Sequence, residues 1–153
     1  MSRAEERLAE QGLRLPEPPT AVANYVGAVR TGNLVFVSGH GPVRDGRFVY
    51  TGKVGQDLDV EAGYQAAQLV CLNMLASLKA EIGDLDRVRR VVKLLGMVNS
   101  APDFAQQPEV INGASDLLVH LYGERGRHAR SAVGMGSLPR NIAVEIEMVV
   151  EVE

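Results

Sequence analysis

Apolar and charged side chains alternate along the final strand-like run. Val144, Ile146, Met148, Val150 and Val152 fall on one side, and Glu145, Glu147, Val149, Glu151 and Glu153 on the other. A period of two over that length predicts a strand with one face in a core. Asp57 to Ile82 has a longer period. Val70, Met74 and Leu78 recur four apart, with Leu69, Leu72 and Leu75 widening the stripe, Asp57 or Asp59 as the cap and Gly83 as the stop. Asp103 to Tyr122 repeats that texture, with Val110, Ala114, Leu117, Leu118 and Leu121 on one face and Gly123 after them. Further strands are expected at Tyr25 to Val29, Leu34 to Val37, Asp86 to Val98 and Ala129 to Met135. Arg30 to Asn33 reads as a hairpin turn, and Arg44 to Arg47 as another turn leading into Phe48-Val49-Tyr50. Strands, helix, strand, helix, strands is the order of an α+β domain with a mixed sheet and two long helices on one face. Two helices cover only one face of such a sheet, which leaves the other face in need of a partner.

The N-terminal residues read differently. Ser2 caps a short charged helix, Gly12 ends it, and Pro16, Pro18 and Pro19 make an extended tether. We therefore divide the chain into a helix and Pro-rich tether over residues 1–19 and a single domain over 20–153. A chain of 153 residues buries a sizeable core without staples. Its one cysteine, Cys71, excludes an internal disulfide and sits in an apolar run, as a buried thiol in a reducing compartment would. The first fifteen residues carry three Arg and three Glu and lack a signal peptide's apolar run. The longest uncharged stretch, Ala62 to Leu78, is interrupted by Gln65, Gln68, Asn73 and Ser77. The expectation is a soluble cytoplasmic protein with no membrane partner.

Net charge excludes more than it suggests. At −3, with no Trp and three Phe, the chain lacks both a phosphate-binding track and stacking platforms, so nucleic acid is not the expected partner. His40, His120 and His128 show no ligand spacing, and no metal site is expected. Gly39-His40-Gly41 and Gly134-Met135-Gly136 lack the remaining residues of a dinucleotide or P-loop fingerprint. Ser38, Ser115 and Ser131 lie near histidines, but no Gly-x-Ser-x-Gly elbow is present. His40 reads as a turn residue, with a place bordering a cleft as the lesser alternative. Chemistry concentrates in Gly123 to Asn141, where Arg125 and Arg127 read as solvated. Arg130 enters a strand, where a guanidinium pairs with a carboxylate from either the protein or a ligand. Glu145, by spacing alone, is a glutamate on the polar face of its strand.

His128-Ala129-Arg130-Ser131-Ala132-Val133, then Leu138-Pro139 and Val144-Glu145-Ile146-Glu147, resembles the C-terminal signature of the RidA/YjgF family. Asn24-Tyr25, Val35 to Pro42, and Asp103-Phe104 with Asn112 fall in that family's order, so the resemblance runs from about residue 20 to the end. It is nearest to a branch with a longer N-terminus and a His-Ala-Arg-Ser-Ala-Val-Gly motif. The resemblance implies a chorismate-mutase-like fold, assembled as a homotrimer with clefts between subunits. It also implies hydrolysis of reactive enamine/imine intermediates, such as 2-aminoacrylate, to a 2-keto acid and ammonia, with no metal or organic cofactor.

Carried over by motif, Arg130 clamps the substrate carboxylate and Glu145 holds or activates water. Tyr25, Gly39 and Asn112 line the cleft, and the backbone near Ala132 supplies hydrogen bonds. The chain departs from the family where His128 replaces a proline, Ala132 replaces a cysteine, and the segment between Phe104 and Asn112 is longer. Asn112-Gly113, unfavourable inside a helix, points to a pocket or close subunit packing. Two other functions compete. One is a trimeric protein that binds a small carboxylate without turnover; the other, opposed by the charge balance, is an endoribonuclease of the L-PSP type.

Overall fold

The computed structural model describes residues 1–21 and 23–153. Its order is α1 (Arg3–Glu10), β1 (Ala28–Thr31), β2 (Leu34–His40), β3 (Val43–Arg44), β4 (Arg47–Phe48), α2 (Val60–Ile82), β5 (Val88–Asn99), α3 (Gln107–Tyr122), β6 (Ala129–Met135) and β7 (Val144–Val152). Five strands form one sheet in the order β1-β2-β7-β5-β6, parallel only between β5 and β6. Helices α2 and α3 pack together on one face of it. The α+β architecture expected above, a mixed sheet with two long helices on one face, is the one observed. No helix among the described residues is long and apolar enough to cross a membrane.

The core follows the periodicities. Val144, Ile146, Met148, Val150 and Val152 of β7 are buried against Val70, Met74 and Leu78 of α2 and Leu118 of α3 in one cluster. Asp59 caps α2 by accepting from the Ala62 amide at 2.8 Å, whereas Asp57 accepts from Lys53 in the preceding loop. The helix therefore starts later than Asp57. Cys71 lies in this core, where burial pushes its thiol up to about 12, as a structural cysteine requires.

Several boundaries differ from the sequence reading. Tyr25 to Gly27 are not strand; β1 begins at Ala28, and the hairpin turn shrinks to Gly32-Asn33, with Gly32 at φ 59°. A two-residue loop that starts on a positive-φ glycine matches the twist of the flanking strands. The second turn is Asp45-Gly46, both at positive φ, joining β3 and β4 as a separate two-stranded hairpin. Val49 and Tyr50 lie outside it. Helix α3 starts at Gln107, just ahead of Pro108, so Asp103 to Gln106 stay outside the helix.

Gly113 answers a second expectation. A Cβ there would overlap the Tyr64 carbonyl oxygen of α2, so the residue marks the closest approach of two helices within one chain. Neither a pocket nor subunit packing is needed to account for it.

The N-terminal helix is fastened to the domain. Ser2 and Glu5 form a reciprocal capping box, Asp86 accepts from the Arg3 and Ala4 amides at 2.8 and 3.1 Å, and Lys79 of α2 pairs with Glu5 at 2.7 Å. Ala4 and Leu8 are buried in the common core.

Candidate functional site

The β2–β7 ladder slips between Val37 and His40. Val37 pairs with Met148 and His40 with Ile146, so Ser38 and Gly39 together oppose Glu147. Such a bulge bends the strand and re-aims its side chains. At this end of β2 a cavity of about 470 Å³ opens, lined by Tyr25, Ser38, Gly39, His40, Phe48, Arg140 and Glu145, with Pro19 to Ala21 of the tether along one side. Buried Asn73 of α2 braces the loop beneath by donating to the carbonyls of Gly41 and Val43 at 3.2 and 2.9 Å. Asn99 donates to the Ile142 carbonyl at 3.2 Å, holding the Leu138–Ile142 segment. Arg140 and Asn141 in that segment both have positive φ, 59° and 57°, an unusual backbone for consecutive non-glycine residues.

Glu145 is half-buried on the sheet face that carries no helix. Burial, reinforced by the charge of Glu147 two residues on, raises its carboxyl above the ordinary value of 4.5. Gly39 makes room for it: a Cβ there would stand 2.5 Å from Glu145 Oε2. We expect Gly39→Ala to displace that carboxylate, which sits on a flexible side chain, without unfolding the chain. For the imine hydrolysis that the family resemblance implies, turnover should fall by about 100-fold while the thermal midpoint holds, a result that steady-state kinetics beside calorimetry would check.

His40 is not a turn residue. It closes β2, is buried, and bonds through Nδ1 to the Ser38 carbonyl at 2.6 Å and through Nε2 to Ser77 Oγ at 2.8 Å. Burial lowers its pKa, opposed in part by the Ser38 carbonyl. A neutral imidazole at the cavity wall follows.

Arg130, Asn112 and Ala132 lie elsewhere. Arg130 pairs in register with Leu94, on the face that carries the helices, and its guanidinium reaches α3, donating to Ser115 Oγ at 3.0 Å and the Pro108 carbonyl at 3.2 Å. Pro108, Asn112 and Ser115 stand at i, i+4 and i+7, so Asn112 shares the helix face that Arg130 crosses. Ala132, two residues along β6, is partly buried on the same side of the sheet. No carboxylate among the described residues pairs with Arg130. Arg125 and Arg127 are exposed as expected, Arg125 over the Tyr122 ring and Arg127 paired with Glu124 at 3.6 Å.

The six expected site residues thus form two groups of three. Tyr25, Gly39 and Glu145 share the cavity; Arg130, Asn112 and Ala132 share the edge strand and α3. Within one chain β5 lies between β7 and β6, roughly 10 Å of sheet, and the two charged side chains leave opposite faces. One small ligand cannot touch both in the same protomer. The sequence reading missed Phe48 and Arg140 as cavity wall, since nothing local marks them. It also missed the contact of Ser115 with His128, although the replacement of a family proline by His128 was visible.

A mixed sheet backed by two helices is the fold of the YjgF/chorismate-mutase-like class. The family described as "YjgF/chorismate_mutase-like, putative endoribonuclease" matches residues 5–152, and the chain belongs to this YjgF/RidA family. It is similar to the protein Atu1372 of Agrobacterium tumefaciens, whose crystal structure is described as of unknown function: 49% identity, 99% of this chain and 93% of that one covered, TM-score 0.93. A structure from Shewanella oneidensis named for the same endoribonuclease class has 35% identity, 97% and 99% coverage, and a TM-score of 0.94. Protein TCP17 of Trypanosoma cruzi is 44% identical over 150 residues, 97% of this chain and 94% of that protein.

Proposed function

We propose that the protein is a homotrimeric hydrolase of reactive enamine/imine intermediates. Its clefts form where the Tyr25, Gly39 and Glu145 group of one copy meets the Arg130, Asn112 and Ala132 group of the next. The observation that supports this reading is a pairing of deficits: among the described residues neither the Arg130 guanidinium nor the half-buried Glu145 carboxylate has an ion-pair partner, and the two are separated within the chain. A substrate that bridges two copies meets both groups, with its carboxylate on Arg130 of one and its imine end beside Glu145 of the other. The helix-free sheet face supports assembly, since Phe36 (48% exposed) neighbours Val29 (53% exposed) and Val149 across the ladder, and Val133 lies across from Met97. Apolar side chains in such a row are what an obligate interface covers.

The chemistry asks little beyond positioning. The bidentate guanidinium of Arg130 fixes the substrate carboxylate. In an enamine such as 2-aminoacrylate, the CH₂ carbon takes a proton and the nitrogen gives one up, so CH₂ becomes methyl and the imine forms. Water then adds its oxygen to the imine carbon while Glu145 takes the water proton, and the nitrogen gains a proton. Collapse of the carbinolamine transfers the hydroxyl proton to the amino group, breaks the C–N bond, forms the keto group and releases ammonia. A carboxyl raised above its ordinary range is suited to both halves of this proton traffic.

The test generates 2-aminoacrylate from serine with a dehydratase in the presence of semicarbazide, which traps the imine. The wild-type protein should suppress the trapped product, and Arg130→Ala and Glu145→Ala should not. A carboxylate-binding protein without turnover would bind 2-oxobutanoate yet leave the trapped product unchanged. Endoribonuclease activity is the weaker reading, because a net charge of −3 leaves no steep salt dependence to expect from phosphate contacts.

A further inference from the structure

Arg130 does not stand alone. Its guanidinium has five N–H donors, and two of them go to α3, one to Ser115 Oγ and one to the Pro108 carbonyl. The remaining donors stay available to a ligand. Ser115 Oγ is in turn 2.8 Å from His128 Nε2, and His128 Nδ1 is 2.7 Å from the Gly126 carbonyl. That carbonyl only accepts, so Nδ1 carries the ring hydrogen and Nε2 is left as an acceptor. The Ser115 hydroxyl must then donate to His128, which turns its lone pairs toward Arg130. Direction runs through the chain of bonds: the Gly126 carbonyl sets the tautomer, the tautomer sets the hydroxyl, and the hydroxyl holds the guanidinium.

We propose that Ser115 and His128 are positioning residues for Arg130, a hydroxyl–imidazole brace that aims its guanidinium at a ligand carboxylate and loosens when the imidazole takes up a proton. The brace rests on the reading of Arg130 as a carboxylate clamp and adds to it a specific mechanism of aim. Protonated His128 would present a second N–H to Ser115 Oγ and set a positive charge beside Arg130. Burial, with a smaller contribution from Arg130, holds the His128 pKa below the ordinary 6.5 against the opposing pull of the Gly126 carbonyl, so the brace is formed at neutral pH. Other charged groups nearby are otherwise engaged or exposed. Glu124 and Arg127 pair with each other at the surface, Asp116 accepts from Tyr64 at 2.8 Å, and Lys93 on β5 is an exposed register partner of Ala129.

The test measures binding of 2-oxobutanoate by calorimetry at about pH 7.5 and about pH 5.5, in a background that carries both Glu145→Gln and His40→Gln, so that His128 is the imidazole left to titrate beside the ligand. Ser115→Ala should weaken binding about tenfold at the higher pH, and Ser115→Thr should restore most of it. Binding to the parent should weaken at the lower pH, whereas His128→Gln, which places a neutral acceptor near Nε2, should bind equally at both. Nitrogen-15 spectra of the wild-type ring should show the Nδ1–H tautomer, a readout that needs no variant to fold. Equal affinity of Ser115→Ala and its parent, equal acid sensitivity of His128→Gln, or an Nε2–H tautomer would overturn the brace. Failure of the wild-type protein to bind 2-oxobutanoate at all would instead overturn the clamp reading, and the brace with it.

Discussion

Glu145→Gln should abolish imine hydrolysis and at the same time make the protein more stable at neutral pH. Loss of a proton acceptor in contact with the attacking water costs about 100-fold or more in rate. The stability gain follows from the direction of the pKa shift. Burial and the Glu147 charge favour the protonated carboxyl in the folded chain, so its pKa lies above 4.5. Between the unfolded value and the raised one, the folded chain binds more protons than the unfolded chain. Stability from this group is therefore present at low pH and lost as pH rises through that window. Ionised Glu145 is a standing cost at neutral pH, and glutamine removes it.

Activity should follow the opposite course. In the proposed mechanism the ionised carboxylate is the base, so kcat/KM should fall as pH drops through the raised pKa, giving an acid limb above the ordinary glutamate value. Thermal unfolding of the wild type and Glu145→Gln across pH, beside the trap assay, measures both trends. A variant less stable than wild type at neutral pH, or with unchanged turnover, would remove Glu145 from this role.

Gly113→Ala should destabilise the fold although it lies inside a helix. At an exposed helical position the change gains about 1 kcal/mol in propensity. Here the added methyl would overlap the backbone carbonyl of Tyr64 and approach the Ala67 side chain at 3.0 Å. Backbone cannot rotate out of the way as a side chain can, so α3 must move off α2. Overpacking of this kind costs about 2–3 kcal/mol, which for a chain of this size lowers the melting temperature by roughly 5–10 °C. The same displacement carries Ser115 and Asn112 with it, so 2-oxobutanoate binding should weaken as well. A melting temperature equal to or above wild type would mean that the two helices separate at no cost.

The elements that read correctly are those in which one local pattern decides the outcome. β7 alternates apolar and acidic residues along its length, and it pairs on both sides while burying one face. Asp59 and Gly83 bound α2 because a side-chain acceptor and a positive-φ glycine each satisfy helix ends locally. β6 spans Ala129–Met135, the limits that its strand-forming residues predict. Tyr25 to Gly27 lie outside β1 because strand propensity does not reveal whether a neighbouring strand reaches that far. His40 departs from its local reading because its burial depends on Ser77, far away on α2.

The candidate site shows the same division at a higher level. Residue type and spacing left Arg130 open between a protein and a ligand partner and Glu145 as a polar-face glutamate; their pairing as site residues came from the resemblance to the RidA/YjgF family. Their separation on opposite faces, with β5 between them, came only from strand order, and strand order is set by long-range pairing that no window along the chain contains. The tautomer of His128 likewise depends on a carbonyl, a hydroxyl and an arginine brought together by packing α3 against β6. The sequence alone determined the α+β class, the glycine stops of the two long helices and the core stripe, all of which rest on local periodicity and chemistry. The tertiary structure decided which face each charge leaves, where the bulge opens a cavity, and what holds the arginine, because each is a contact between distant segments.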